Sequence, residues 1–245
     1  GEENAVVDPE APCDAGIDAD EEDPTMAARA VGLCKVGSET EWGLLAARWT
    51  LADGTTAPDT AVYHLGHGVL RDFGQDIDAL EGSRLLALSS GTARAPDDQD
   101  WAAPAGVDKE YVSNSPAGFP KEAAHCEDVV TGVVHDDVAL EVAVRAPAEA
   151  TNLAFDFNFH TYEWPVYVCS AFNDFFVALL TPIPDGQSDG NISFDAVGNP
   201  VSVNNAFVTV CDCPGGPPCF APPDTQLVEY SCDDGDDELD GTGFE

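Results

Sequence analysis

The chain has almost no positive charge. Nine Lys and Arg residues stand against 46 Asp and Glu in 245 residues, a formal net charge of -37. Phosphate recognition needs clustered Lys and Arg, so nucleic acid is excluded as a partner. Anionic membrane surfaces are excluded on the same ground. No run of 18 apolar residues occurs, so no membrane insertion is expected. Nor does the chain open on a basic segment followed by an apolar core, so an exported form is expected to begin at a processed Gly1 and to carry no anchor. The G-x-S-x-G elbow, the P-loop and the dinucleotide fingerprint are all missing. With the best-marked enzyme classes gone, the expectation is a protein that is not an enzyme.

What is present suffices for one packed core: 44% of residues are hydrophobic and 9% aromatic. The acidity keeps the chain soluble but makes it repel itself, so bound cations should stabilise it. An acidic surface adapted to salt can by itself account for the charge, and specific cation binding would be an addition to it rather than a rival. Eight cysteines, at positions 13, 34, 126, 169, 211, 213, 219 and 232, point to an oxidising compartment and hence to a secreted or cell-surface protein. Zinc is disfavoured, because Cys211-Asp212-Cys213 has no second close pair and no neighbouring His. Cys13–Cys34 is the expected disulfide that clips an acidic segment to the helix after it. Cys219–Cys232 is expected to close a Pro-rich loop.

Residues 1–24 read as a solvated acidic arm and 25–245 as one domain. Asp23-Pro24 starts a short helix, with Met26, Ala30 and Leu33 on one face. Apolar segments bounded by turn residues predict strands over 42–51, 61–70, 84–91 and 137–144. Alternation predicts another over 152–160, with Phe155, Phe157 and Phe159 on one side and Asp156, Asn158 and His160 on the other. Further strands are expected at 175–180, 192–194 and 201–210. Residues 92–122 form a long Pro/Asp/Gly/Ser loop and 211–224 a Cys/Pro/Gly loop. Asp233 to Asp240 read as a solvated charge run. Short strands, turn signals and few helices make an all-β chain, an antiparallel β-sandwich with one short N-terminal helix and long loops.

Acids and amides interrupt the apolar strands at Glu163, Asn173, Asp174, Asn191, Asn204 and Asn205. Glu163, Asn173 and Asp174, with Asp156 and Asp195 as partners, could supply oxygens to Ca²⁺, which takes six to eight. They could equally satisfy bends, Asn173 and Asp174 bonding nearby backbone and Glu163 pairing with Arg145. Asp18, Asp20 and Glu22 are a second acidic candidate without the EF-hand register. His64 and His67 could bring two imidazoles together, but they lack the H-E-x-x-H pattern and a turn between strands is the better reading. Asn191-Ile192-Ser193 matches a glycosylation acceptor. Two acids at glycosidase separation would make a hydrolase, which spacing along the chain cannot reveal.

Four pieces occur in order: Glu163-Trp164-Pro165, Phe172-Asn173-Asp174-Phe175, Asn191-Ile192 and Pro200-Val201-Ser202-Val203-Asn204-Asn205. Here the chain resembles the bacterial choice-of-anchor L domain family, with Trp164 in place of the more usual Tyr. AARAVGLC (27–34), ARW (47–49), LLALSSGTAR (85–94) and DDVALEV (136–142) resemble its myxobacterial members, so the likeness covers nearly the whole chain. The resemblance implies a secreted or cell-surface sandwich of jelly-roll or lectin-like form. Family members continue past the segment at which this chain stops, Gly243-Phe244-Glu245. Either the chain is cut short there, or the sandwich lacks strands and leaves an open apolar groove that a strand from another copy could fill, with Asn4-Ala5-Val6-Val7 as donor, giving filaments.

The expected function is therefore a structural or adhesive module that self-associates. The alternative is a carbohydrate-binding module with a cell-surface glycan stacked on Trp101, Tyr111, Tyr162 and Trp164. A glycan-acting hydrolase is third.

Overall fold

The computed structural model describes residues 12–104, 107–123, 126, 129–164, 167–195, 198–204, 219–221, 226–228 and 239–244. Its elements run α1 (Pro24–Ala30), β1 (Gly43–Thr50), α2 (Ala61–His64), β2 (His67–Leu70), β3 (Asp72–Phe73), β4 (Ile77–Asp78), β5 (Leu85–Leu88), β6 (Val112–Ser113), β7 (Val134–His135), β8 (Ala139–Arg145), β9 (Phe175–Phe176), β10 (Val201–Ser202), β11 (Cys219–Ala221) and β12 (Gln226–Val228). The protein is mainly β, with few and short helices. The described strands pair antiparallel in twos: β1 with β8, β2 with β5, β3 with β4, β6 with β7, β9 with β10 and β11 with β12.

The longest ladder, β1–β8, runs from Gly43 opposite Arg145 to Thr50 opposite Ala139, with a bulge between Leu44 and Ala46. Glycine is needed where the chain enters it. Gly43 sits at φ +139°, and a Cβ there would collide with the Lys35 carbonyl. Arg48 donates to Glu141 across the ladder at 2.7 Å. Both side chains are half exposed, so water screens the pair and it contributes little to stability.

α1 forms because Asp23 caps it, its carboxylate accepting from the Thr25 N–H at 2.8 Å, and because Pro24 suits the first turn. Its buried face is Ala27, Ala28 and Ala30. Ala30 joins Ile17 and Val69 in one apolar cluster, with Met26 and Leu86 against it. A second cluster is Val168 and Val203 with Phe159, Trp164 and Cys169.

Residues 12–23 are not the solvated arm expected. Cys13 is bonded to Cys34 as expected. Asp14 is 2% exposed, its carboxylate accepting from the Ser83 N–H and hydroxyl. Ile17 fills the core, and the Ala19 carbonyl accepts from the Val69 N–H at 3.2 Å. The segment is a strap along the free edge of β2.

The expected strands over 42–51, 84–91 and 137–144 are found. Residues 61–70 are half helix and half strand, because the Thr60 hydroxyl caps α2 by accepting from the Tyr63 N–H. Residues 152–160 form no ladder; Phe157 packs instead against Phe176, the rings tilted with centres 4.9 Å apart. At 175–180 and 192–194 only β9 and the bridges Leu179–Asn191 and Phe194–Pro200 form. The Cys219–Cys232 bridge, Asn205, most of the 211–224 loop, the 233–238 run and Asn4 to Val7 lie outside the described residues.

Candidate functional site

Loop 161–174 carries the sequence-expected acids. Cys169 is bonded to Cys126 in a disulfide that the sequence reading did not anticipate. The Tyr167 N–H donates to the Glu163 carbonyl at 2.9 Å, closing one turn. The Asp174 carbonyl accepts from the Val203 N–H at 2.8 Å, which ties the loop's end to the β9–β10 pair. Glu163 and Asp174 are thereby brought together.

Burial, and next the charge of Asp174, push the Glu163 carboxyl up to about 7, although the Asp174 N–H donates to it. Burial also raises Asp174, opposed by a hydrogen bond from the Ser90 hydroxyl at 3.4 Å. Glu163 Oε2 is enclosed and has no hydrogen-bond partner. An enclosed carboxylate oxygen without a donor favours the protonated acid. This pair can hold a proton close to neutral pH and release it above.

The other expected ligands are used elsewhere. Asn173 Oδ1 accepts from the Asn204 N–H at 2.9 Å, and its Nδ2 donates to Thr131 Oγ1 at 3.4 Å. Asp195 caps a turn, accepting from the Asn199 N–H at 2.7 Å and from Asn199 Nδ2 at 2.8 Å. Asp156 is exposed. Arg145 does not meet Glu163; its Nε donates to the Ser38 carbonyl at 2.7 Å. Among the described residues no group of three or more His, Cys, Asp or Glu is arranged to hold a metal ion. Two carboxylates do not make the oxygen shell of Ca²⁺, so the described residues do not fit the ion.

The strand amides serve the backbone. Asn204 Oδ1 accepts from the Cys169 N–H at 2.7 Å, and its Nδ2 donates to the Ser170 carbonyl at 3.3 Å. Cys169 lies at φ +55°, so Asn204 holds a turn that an ordinary residue resists. Asn191 makes three bonds with Ser193, one of them its Oδ1 accepting from the Ser193 hydroxyl at 2.7 Å.

A second polar cluster surrounds His64 and His67. His64 Nδ1 lies 2.8 Å from His67 Nε2, and His67 stacks on Trp49 with centroids 3.8 Å apart. Burial, reinforced by the charges of His64, Arg94 and Lys109, drives His67 down to about 3, so it is neutral at physiological pH. Arg94 Nη1 donates to the carbonyls of His67 and Ala93, and Lys109 Nζ donates to that of Ser89. Burial lowers Lys109 to about 8 against the fields of Asp136 and Asp137. The Asp136 carboxylate accepts from the N–H groups of Lys109 and Tyr111, while Asp137 takes the Ser113 hydroxyl and the Ala52 N–H. The Tyr63 and Tyr111 hydroxyls donate to the carbonyls of Thr50 and Asp137.

The cluster joins the β1 end, α2, β2 and the 92–122 loop through backbone carbonyls. Its residue types suggest chemistry; its geometry assigns them to holding loops. Arg94 and Lys109 were missed in the sequence, though in a chain with only nine Lys and Arg each one was worth locating. Four of the nine, Arg84, Arg94, Lys109 and Arg145, donate to main-chain carbonyls.

Of the expected sugar-stacking aromatics, Tyr162 is exposed, Trp164 packs on Val168 and Val203, Tyr111 is half-buried, and Trp101 lies against Gly243. The loop instead exposes Tyr167 and Phe172, ring centres 5.7 Å apart, which the sequence reading did not single out. No helix among the described residues is long and apolar enough to cross a membrane. Comparison with family models, curated proteins and solved structures finds no match for this chain.

Proposed function

We propose that this chain is a secreted structural or adhesive β-sandwich module whose copies associate by strand addition, as the repeating subunit of an extracellular filament. One observation carries the reading. β8 belongs to the longest ladder yet has no second neighbour among the described residues. Leu45, Val142 and Val144, at 46%, 37% and 45% exposure, lie on that ladder. An unpaired edge with apolar side chains is a template for another strand. Head-to-tail addition does not close on itself, so it extends into fibres. Two disulfides support an oxidising, extracellular setting. Copies carrying -37 repel one another, so association requires salt.

Light scattering in rising NaCl tests this. The mass is expected to climb above 25.7 kDa, and Val142→Lys with Val144→Lys is expected to prevent the climb without lowering the melting temperature. A 25.7 kDa particle at every salt and protein concentration refutes it. A second reading, neutral-glycan binding, is favoured by the exposed rings of Tyr162, Tyr167 and Phe172 on one loop. Retention on a neutral glycan array, abolished by Tyr167→Ala with Phe172→Ala, supports it; binding unaffected by that change refutes it.

A further inference from the structure

The two described disulfides differ in exposure. Cys126 is 7% exposed, and Cys169 is half-buried, packed against Val168 and Val203. Cys34 is exposed and Cys13 half-buried, and both line a cleft of about 310 Å³ with Asp14, Arg29, Glu81 and Gly82. The Cys34 sulfur is therefore open to a small thiol, whereas Cys126 is buried and Cys169 partly covered, so Cys13–Cys34 is the more readily attacked. What the reachable one holds is specific. It fastens residues 12–23, whose Ile17 plugs the cluster with Ala30 and Val69 and whose Ala19 carbonyl takes the Val69 N–H. The strap's other described bonds are few: Ser83 N–H and hydroxyl to Asp14, Arg84 Nε to the Ile17 carbonyl, Trp49 Nε1 to the Glu22 carbonyl, and a 4.0 Å approach of His64 Nε2 to the Glu22 carboxylate.

We infer that Cys13–Cys34 is a thiol-exchange site: a latch that small-molecule thiols open in the folded protein, releasing the 12–23 strap from the edge of β2. The exchange balances without further reagents. A small thiolate attacks Cys34 Sγ, forming a mixed disulfide and expelling the Cys13 thiolate. A second thiolate attacks the small-molecule sulfur of that mixed disulfide, releasing the oxidised thiol pair and the Cys34 thiolate. Two electrons pass to the protein, and each thiolate takes a proton from water. Asp14 and Glu81 at the cleft, and the charge of -37, set the order among thiols: cationic before neutral, neutral before anionic. Once the strap leaves, β2 presents the backbone of Val69 and an apolar hole where Ile17 was.

The test is native-state reduction with cysteamine, 2-mercaptoethanol and glutathione, quenched by alkylation, with peptide mapping to place the label on each cysteine. Cys13 and Cys34 are expected to label at least tenfold faster than Cys126 and Cys169. Cysteamine should lead glutathione, with the gap narrowing in high salt. Amide exchange over 12–23 and at Val69 should rise at least tenfold in the latch-open protein while β1 and β8 keep their protection. Cys13→Ser with Cys34→Ser should reproduce that exchange pattern; should that variant not fold, the wild-type time course decides alone. Equal labelling of the two disulfides, or a strap that stays protected after Cys13 and Cys34 are labelled, overturns the inference.

Discussion

Replacing Glu163 by Gln separates its charge from its shape. The amide has the size and hydrogen-bonding pattern of the protonated acid, so Glu163→Gln mimics the form that the enclosed Oε2 favours. The wild-type carboxyl moves from 4.5 in the unfolded chain to about 7 in the fold. A carboxyl raised on folding binds its proton more tightly in the native state. Its stabilising contribution is therefore complete below 4.5 and is lost as pH rises to about 7. At about 1.4 kcal/mol per pH unit the loss has a ceiling of about 3 kcal/mol. Solvent screening at a half-buried group brings it to about 1.5 kcal/mol. Urea unfolding from pH 4.5 to 8.5 measures it. Glu163→Gln should match wild type within about 0.5 kcal/mol at pH 4.5 and exceed it by about 1.5 kcal/mol at pH 8.5. Taking the difference between the two proteins cancels the titration of the acids that do not interact with Glu163, leaving Glu163 and the coupled Asp174. Parallel curves across the whole range refute the reasoning.

Three further outcomes follow from the same geometry. Asn204→Ala should cost about 1–3 kcal/mol in urea unfolding, since it removes the side-chain bonds to the Cys169 N–H and the Ser170 carbonyl at a part-buried, positive-φ turn; a loss under about 0.5 kcal/mol contradicts the role given to it. CaCl₂ at fixed ionic strength should shift the melting temperatures of wild type and Glu163→Gln equally, because the described carboxylates, Glu163 and Asp174 among them, do not form a calcium shell; a calcium stabilisation of several degrees that Glu163→Gln abolishes contradicts this. The imidazole of His67 should show no titration by NMR between pH 5 and 8, being held near 3 by burial; because that pKa is depressed on folding, the stability His67 confers is present above about 6.5 and falls as pH drops below it.

The sequence was legible where one local cause dominates. Asp23-Pro24 predicts the start of α1 because capping needs only neighbours along the chain. Cys13–Cys34 follows from a short loop between two thiols. The apolar runs of β1, β5 and β8 locate those strands, though pairing β1 with β8 across more than 90 residues was not read from the sequence. Failure came where distant partners decide. The alternation over 152–160 has the period of a strand, yet its phenylalanines are used in ring contacts with Phe176 and with the Val168–Val203 cluster. The arm reads as solvated until Ser83 is brought to Asp14 from 69 residues away. The same holds at the site. Glu163 and Asp174 stand out as acids amid apolar residues, and the fold does join them. Asn173 and Asp195 have the same residue chemistry but are engaged by Asn204 and by Asn199, which spacing alone does not disclose.

The most direct measurement on the proposed strand addition is amide hydrogen exchange over Ala139–Arg145, compared between dilute protein in low salt and concentrated protein in high salt. If copies join along β8, its outward amides gain protection of tenfold or more on concentration while β2 and β5 are unchanged. Exchange in β8 that is the same in both conditions contradicts association through that edge.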